Sequence, residues 1–369
     1  MNGIPQIWDV SQSHAPRISV IIPAYNTASF IAETLDSVFD QTFRDFEVIV
    51  INDGSPDTPK LEGALQPYLS RVQYVRQENR GPSGARNEGI RRARGELLAF
   101  LDSDDIWMRD YVSAQVQFLD RHPQVCASIA DVLLFDACAE PVAWRMLKPG
   151  AGPVLTFEQM LKREGGQAGG SALVARRQRV LQAGMFDEQL RIAEDLEFCA
   201  RLCFPDGAIG YLGQVLAKYR QRPDSITDKP RSRRLSYAEN PTLPRTDEAP
   251  SVSLFSRKYN VAEIEALRRL GTKLDLTGAQ RKVLTAEIAS AQAALALSDA
   301  FDHLSADRFR QGERCLAEAN THFRDPRITL TRLGLRAFPI WTARFLNWRL
   351  KQRSGTRIRK SATQSGRTP

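Results

Sequence analysis

Three short apolar runs, at residues 18–23, 47–52 and 96–101, constrain this chain more than any other feature. Each is rich in Val, Ile or Leu, and each stops abruptly: at Pro23, at Asn52-Asp53-Gly54, and at Asp102-Ser103-Asp104-Asp105. Stretches of helical periodicity separate them, with helices expected at about 29–40 and from Ser83, read as an N-cap after Gly81-Pro82, to about 94. A shorter strand fits 72–76. Nearly continuous apolar strands alternating with helices indicate a mostly parallel sheet covered on both faces, an α/β fold. In such open sheets ligands bind beyond the carboxyl ends of the strands, which makes the acids after Leu101 the first place to look for chemistry. Paired carboxylates there suit Mg²⁺ or Mn²⁺ best when a phosphate completes the shell, which points to a nucleotide diphosphate.

Other chemistries find little support. The five cysteines (126, 138, 199, 203 and 315) are odd in number and contain no Cys-x-x-Cys pair, against both a disulfide framework and a structural zinc site. Cys199 and Cys203 share a helical face and read as buried small hydrophobes. His14, His122, His303 and His322 lack paired spacing, so any metal falls to carboxylates. No apolar run is long enough to span a bilayer and none resembles a signal peptide, so the expected compartment is the cytoplasm. The net charge of +8 is concentrated at the end: from Arg324 onward there are twelve Lys or Arg and one Asp, leaving the main body slightly acidic. The high pI therefore belongs to a tail, and a nucleic-acid-binding domain is not expected.

Further along, the pattern predicts a helix at 108–121, a strand at 125–135, a polar Gly-rich stretch to 170, a strand at 171–175 and a helix at 176–183. A second helix should begin near Ala193, and the last strand lies at 215–220. Residues 261–319 read as helical, with Ala286, Ala289, Ala293 and Leu297 on one face and Phe309, Cys315, Leu316 and Ala319 following a break at Ser305-Ala306-Asp307. The expected organisation is an N-terminal extension (1–16), an α/β domain (17–222), a linker or lid (223–253), a helical hairpin region (254–322) and a basic amphipathic helix with a disordered tail (323–369).

Four segments occur in a telling order: Ser19-Val-Ile-Ile-Pro-Ala-Tyr-Asn26, Val50-Ile-Asn-Asp-Gly-Ser55, Glu78-Asn-Arg-Gly-Pro-Ser-Gly-Ala-Arg-Asn-Glu-Gly89 and Phe100-Leu-Asp-Ser-Asp-Asp105. Together with Gly184-Met-Phe-Asp187 and Ala193-Glu-Asp-Leu-Glu-Phe-Cys-Ala-Arg-Leu202, they resemble the family 2 inverting glycosyltransferases of GT-A fold over about residues 17–222. A metal-dependent transfer of a sugar from a nucleotide diphosphate, with UDP the expected carrier, to a glycan or lipid-linked acceptor in surface-polysaccharide synthesis is what the resemblance implies. Pro23, Ala24, Tyr25 and Asn26 would then hold the base, with Tyr25 offering an aromatic face. Asp53 would accept from the base or ribose while forming the turn before Gly54. Gly81 would admit close backbone approach, and Arg86 would fork onto the nucleotide or its phosphates. Asn87 is read as bracing a loop.

The resemblance assigns Asp102 and Ser103 to the ribose side of the donor and Asp104 to the metal, with Asp102 as a second metal candidate and Asp105 less defined. Asp195 takes the general-base position and Glu194 is the alternative. At a helix N-terminus Asp195 is expected to be ionised at neutral pH. Arg201 is expected to order this region from the face that carries Glu194. Trp107 reads either as a floor for the acceptor sugar or as core, and Arg220 and Arg222 as part of a loop over the diphosphate.

Leu335, Phe338, Trp341, Phe345 and Trp348 recur at helical spacing among basic residues, so 332–351 could lie on an anionic membrane, which would put the protein peripherally on the inner face of the cytoplasmic membrane. The alternatives are packing of this stripe on the protein itself and, for the chain as a whole, a non-catalytic sugar-nucleotide-binding or scaffold protein derived from a transferase. A nucleotidyltransferase would favour a Gly-rich basic signature near the N-terminus, which Pro23-Ala-Tyr-Asn26 is not.

Overall fold

The computed structural model describes residues 15–136, 139–144, 153–162, 170–222 and 257–342. They fall into two units: residues up to Arg222 together with Glu265–Leu284, and Pro223–Ile264 together with the chain from Thr285. The expected linker at 223–253 and the tail beyond 342 lie outside the described residues.

The first unit is built on one mixed sheet. Its strands are β1 (Ile18–Ala24), β2 (Phe46–Asp53), β3 (Gln73–Gln77), β4 (Leu97–Phe100), β5 (Ile106–Trp107), β6 (Ala127–Asp136), β7 (Ala139–Trp144), β8 (Val154–Thr156), β9 (Leu173–Arg176) and β10 (Ala208–Arg220). The order is β3-β2-β1-β4-β9-β6-β10-β5, with β7 on β6 and β8 on β10. Strands β1 to β4 pair in parallel, whereas β9 runs antiparallel between β4 and β6. The parallel half is the part that the apolar runs made legible, because Val20, Ile21, Ile22, Val48, Ile49, Val50 and Ile51 are all buried.

Helices α1 (Ile31–Phe39), α2 (Thr58–Leu65), α3 (Gly81–Arg92), α4 (Tyr111–Arg121), α5 (Phe157–Leu161), α6 (Arg177–Gln182) and α7 (Glu194–Cys203) accompany this sheet. Helix α3 starts two residues before Ser83, at Gly81, whose φ of 79° suits glycine, so Ser83 is not the cap. The Ser83 hydroxyl instead donates to the Leu190 carbonyl at 2.9 Å. The polar stretch expected to 170 contains β7, β8 and α5, and β10 begins seven residues before the expected strand, with shifts in register between Tyr211 and Ala217. Those irregularities, with Gly210 and Gly213, broke the period-2 pattern that sequence reading relies on.

Helices α8 (Arg257–Lys273), α9 (Gly278–Ser305), α10 (Phe309–Phe323) and α11 (Pro326–Ala337) follow. The region expected to be helical without a break before Ser305 is interrupted between Lys273 and Gly278, while the break after Ser305 is present, with Asp307 at φ 57°. In the second unit Ala296, Leu297, Ala300 and Leu304 of α9 pack with Leu316 and Ala319 of α10 and Leu335 of α11. No described helix is long and apolar enough to cross a membrane.

Candidate active site

The loop that follows β4 carries Asp102, Ser103, Asp104 and Asp105, and the structure gives each a different surrounding. Asp105 is buried. Its carboxylate accepts the Ser171 hydroxyl and, at 2.8 Å, the Arg220 amide, while burial and the neighbouring carboxylates of Asp104 and Asp102 push its pKa well up. Both of its oxygens are thus engaged within the protein. Ser171 also accepts the Asp102 amide at 3.0 Å, so one hydroxyl ties both ends of the acidic loop. Ser103 is likewise turned inward, sharing a 2.8 Å hydrogen bond with Thr27.

Asp102 and Asp104 remain partly accessible, and each has a guanidinium partner. Arg86 Nη2 donates to Asp102 Oδ1 at 2.7 Å, and Arg222 Nε lies 3.1 Å from Asp104 Oδ2. Burial first, and the Asp102 charge second, raise the Asp104 pKa to about 6. An arginine alone therefore does not neutralise this acidic pair.

Arg86 carries a second contact that the sequence did not disclose. Its Nη1 donates to Glu194 Oε1 at 2.8 Å, so the buried guanidinium bridges the strand-end loop to the start of α7. The two carboxylates outweigh the desolvation and hold its pKa above the ordinary arginine value. Arg86 thus braces two acids, and Glu194 is engaged by the same bridge. Asp195 lies next to it, with Oδ1 accepting its neighbour's Leu196 amide at 2.8 Å. Its pKa is raised to about 7, by burial first and then by Glu194, with Arg86 opposing. Full ionisation at neutral pH is thus corrected: the helix N-terminus favours the carboxylate, but desolvation beside a second acid wins. Ala193, the residue that turns the chain into α7, sits in the left-handed region at φ 59°.

The remaining expected residues line the other strand ends. Pro23 and Ala24 close β1, and Tyr25 is nearly half exposed beside Asn26. Asp53 is fully engaged within the chain: Oδ1 accepts from Gln77 and from the Arg80 amide, and Oδ2 from the Gly81 amide at 2.8 Å. Gly54 beside it has φ 62°, and a Cβ there would meet the Asn79 nitrogen at 2.7 Å, so the turn admits only glycine. Asn87 braces the turn after Met185, exchanging hydrogen bonds of 2.9 Å with the amide and carbonyl of Phe186.

Trp107 is core. It is buried, stacks on Tyr111 at 4.2 Å, and donates its indole N–H to the Ser171 carbonyl at 2.8 Å. Arg201 pairs with Glu197, one turn back, rather than with Glu194, and donates to the Met185 carbonyl at 2.6 Å. Lys273 Nζ then joins Asp187 (2.7 Å) and Glu197 (2.9 Å), fastening α7 from behind. Arg220 donates through Nε to the Asp104 carbonyl, and Arg222 lies against the Asp104 carboxylate while donating through Nη1 to the Asn26 carbonyl, so both arginines reach the acidic loop.

Two hard, partly accessible carboxylates side by side, Asp102 and Asp104, fit a divalent cation that takes its remaining ligands from phosphate oxygens. Among the described residues no group of three His, Cys, Asp or Glu is placed to hold a metal ion. Residues 19–135, which hold the β1 to β6 half of this site, match the model described as Glycosyl transferase family 2. The chain carries a family 2 glycosyltransferase domain. Uncharacterized glycosyltransferase EpsJ of Bacillus subtilis is 30% identical over 226 residues, spanning 58% of this chain and 64% of that one. An uncharacterized glycosyltransferase of Rickettsia felis is 38% identical over 109 residues, 30% of this chain. This chain spans only 18% of that relative's length and less than two thirds of EpsJ.

Solved structures of the same architecture include S. aureus TarS 1–349, with a TM-score of 0.55 and 19% identity over 91% of each chain. The mannosyltransferase PcManGT of Pyrobaculum calidifontis, solved in complex with GDP-Man and Mn²⁺, gives a TM-score of 0.51 at 19% identity and covers 89% of this chain and 84% of that one. These likenesses establish a GT-A fold for the family 2 domain, with a helical region following it.

Proposed function

We propose that this chain is an inverting glycosyltransferase that moves a sugar from a nucleotide diphosphate, UDP-linked, to a hydroxyl of a glycan or lipid-linked acceptor in the synthesis of a cell-surface polysaccharide. The observation that carries this is the Arg86 bridge: one buried guanidinium holds Asp102 at the end of β4 and Glu194 beside Asp195, bringing a donor-side acid and a base into one site. TarS has been solved with UDP and with UDP-GlcNAc, which supports the choice of donor class.

In this reading Asp195 takes the proton of the acceptor hydroxyl as its oxygen bonds to the anomeric carbon, and the bond to the diphosphate breaks with its electron pair leaving on the nucleotide. Attack opposite the leaving group inverts the configuration. Asp104, with Asp102, would hold Mn²⁺ or Mg²⁺, which when bound supplies charge stabilisation to the departing diphosphate. A base whose pKa lies near 7 is matched to proton transfer at neutral pH. In the same reading Tyr25 offers its exposed ring to the base, and Arg222, beside Asp104, would meet the diphosphate. Glu194 serves to position rather than to abstract the proton, because Arg86 already holds it.

Thermal shift with a panel of nucleotide sugars, each with and without Mn²⁺, tests the proposal. A metal-dependent rise for one donor supports the reading and names the sugar. No rise for any donor with metal present would favour a non-catalytic scaffold derived from a transferase.

A further inference from the structure

Helix α11 was expected to present one apolar stripe that includes Leu335, Phe338 and Trp341. It presents two instead. Leu335 is buried against Leu304, Leu316 and Ala319, with Ile328 packed beside it. Leu330 and Leu333 face outward, 68% and 55% exposed. The helix ends at Ala337, and Pro339 prevents Phe338 and Trp341 from continuing the buried face. After the break at Phe338 the chain is helical again through 342, angled so that Thr342 packs on Gly334, where an added Cβ would meet Thr342 Oγ1 at 2.9 Å. Phe338, Ile340 and Trp341 are therefore held near the helix, with Trp341 74% exposed. Among the described residues, five of the nine large exposed apolar side chains fall between 330 and 341, so this is a patch and not scattered surface.

The charge around the patch decides what covers it. Arg324, Arg327 and Arg336 are exposed on α11 and just before it, Arg336 also pairing with Glu313 at 2.9 Å, and the sequence of residues 343–369 holds eight Lys or Arg and no acid. A second copy would bring the same positive charge against itself, which opposes self-association through this face. A polyanion without apolar surface would leave Leu330, Leu333 and Ile340 in water. One partner satisfies both halves of the surface: an anionic lipid layer, whose headgroups take the arginines and whose acyl boundary takes Leu and Trp.

We propose that the outer face of α11 and the helical segment after its break at Phe338, together presenting Leu330, Leu333, Phe338, Ile340 and Trp341, form a docking surface for an anionic membrane. This surface stands on the second unit alone and does not depend on the catalytic reading.

The test is co-sedimentation of the full chain with vesicles of phosphatidylcholine, with and without one-third phosphatidylglycerol. The comparison protein is a variant carrying Leu330→Gln, Leu333→Gln and Trp341→Gln. All three side chains are exposed, so the fold is retained, and an unchanged thermal midpoint checks this. The expected result is binding to the anionic vesicles alone, weakened at least about tenfold in the variant. Equal binding by the variant would overturn the proposal, since the charge of the tail would then suffice. An absence of vesicle binding, or an oligomer that the variant dissolves without any lipid affinity, would overturn it in favour of a protein partner.

Discussion

Arg222 Nε stands 3.1 Å from Asp104 Oδ2, although 118 residues separate them in the chain. The guanidinium occupies a carboxylate oxygen that a divalent cation would need, so cation and arginine compete. Arg222→Ala is expected to tighten Mn²⁺ binding in the donor-free protein by a few-fold, and to weaken binding of the nucleotide sugar. Asp104→Asn is expected to abolish metal-dependent donor binding. Free Mn²⁺ measured by electron paramagnetic resonance checks both, and wild-type-like donor binding in the second variant would remove Asp104 from the metal site.

Arg86 is the buried counter-charge shared by two acids, Asp102 and Glu194. Arg86→Ala leaves Asp102 and Glu194 facing each other without a counter-charge and should lower stability by about 3 kcal/mol. Arg86→Lys restores the charge but not the fork, and should recover only part of this loss. Urea titrations of the two variants separate the outcomes. Equal stability of Ala and wild type would show that the bridge contributes little.

Asp195 acts as a base only when unprotonated, and its pKa is raised from 3.8 to about 7. Turnover should therefore rise about tenfold per pH unit below 7 and level above it. Asp195→Asn should keep donor binding and lose at least about a hundredfold in rate. Because the folded-state pKa lies above the unfolded one, the protonated side chain favours folding at low pH, and that contribution is lost as pH rises through 7. The Asn variant should accordingly melt above wild type at pH 8, with the gap closing toward pH 4. If activity persists, Glu194 becomes the base.

Ser171→Ala removes the hydroxyl that accepts the Asp102 amide and donates to Asp105. Each lost partner in a buried network costs about 1 kcal/mol or more. The expected signature is a fall in melting temperature together with weaker donor binding, because the acidic loop loses its brace. A change in stability alone would confine Ser171 to the fold.

Strands β1, β2 and β4 and the acids after β4 were legible because apolar runs and their abrupt ends are local signals. Helix α2 was not, since Pro59 and Gly63 obscure its periodicity. The double contact of Arg86 was also hidden: Glu194 lies 108 residues away, and only tertiary structure brings it within reach. Ser171 had no local signal beyond Gly169-Gly170 before it. The ionisation of Asp195 was misjudged because a helix terminus can be read from sequence but desolvation cannot. Phe338 and Trp341 keep helical spacing with Leu335 in sequence, yet Pro339 parts them in space.

Ala193 enters α7, the helix proposed to carry the base, from the left-handed region, where an alanine carries a steric cost of roughly 1–2 kcal/mol. Glycine would relieve that cost but would also gain freedom in the unfolded chain, so the two substitutions end nearly level in stability. What alanine retains is stiffness: few conformations are open to the residue that aims Asp195. A β-branched residue there would not fit, and a glycine would fit while blurring the aim, so the tolerance of this one position measures how much angular error the proton transfer accepts.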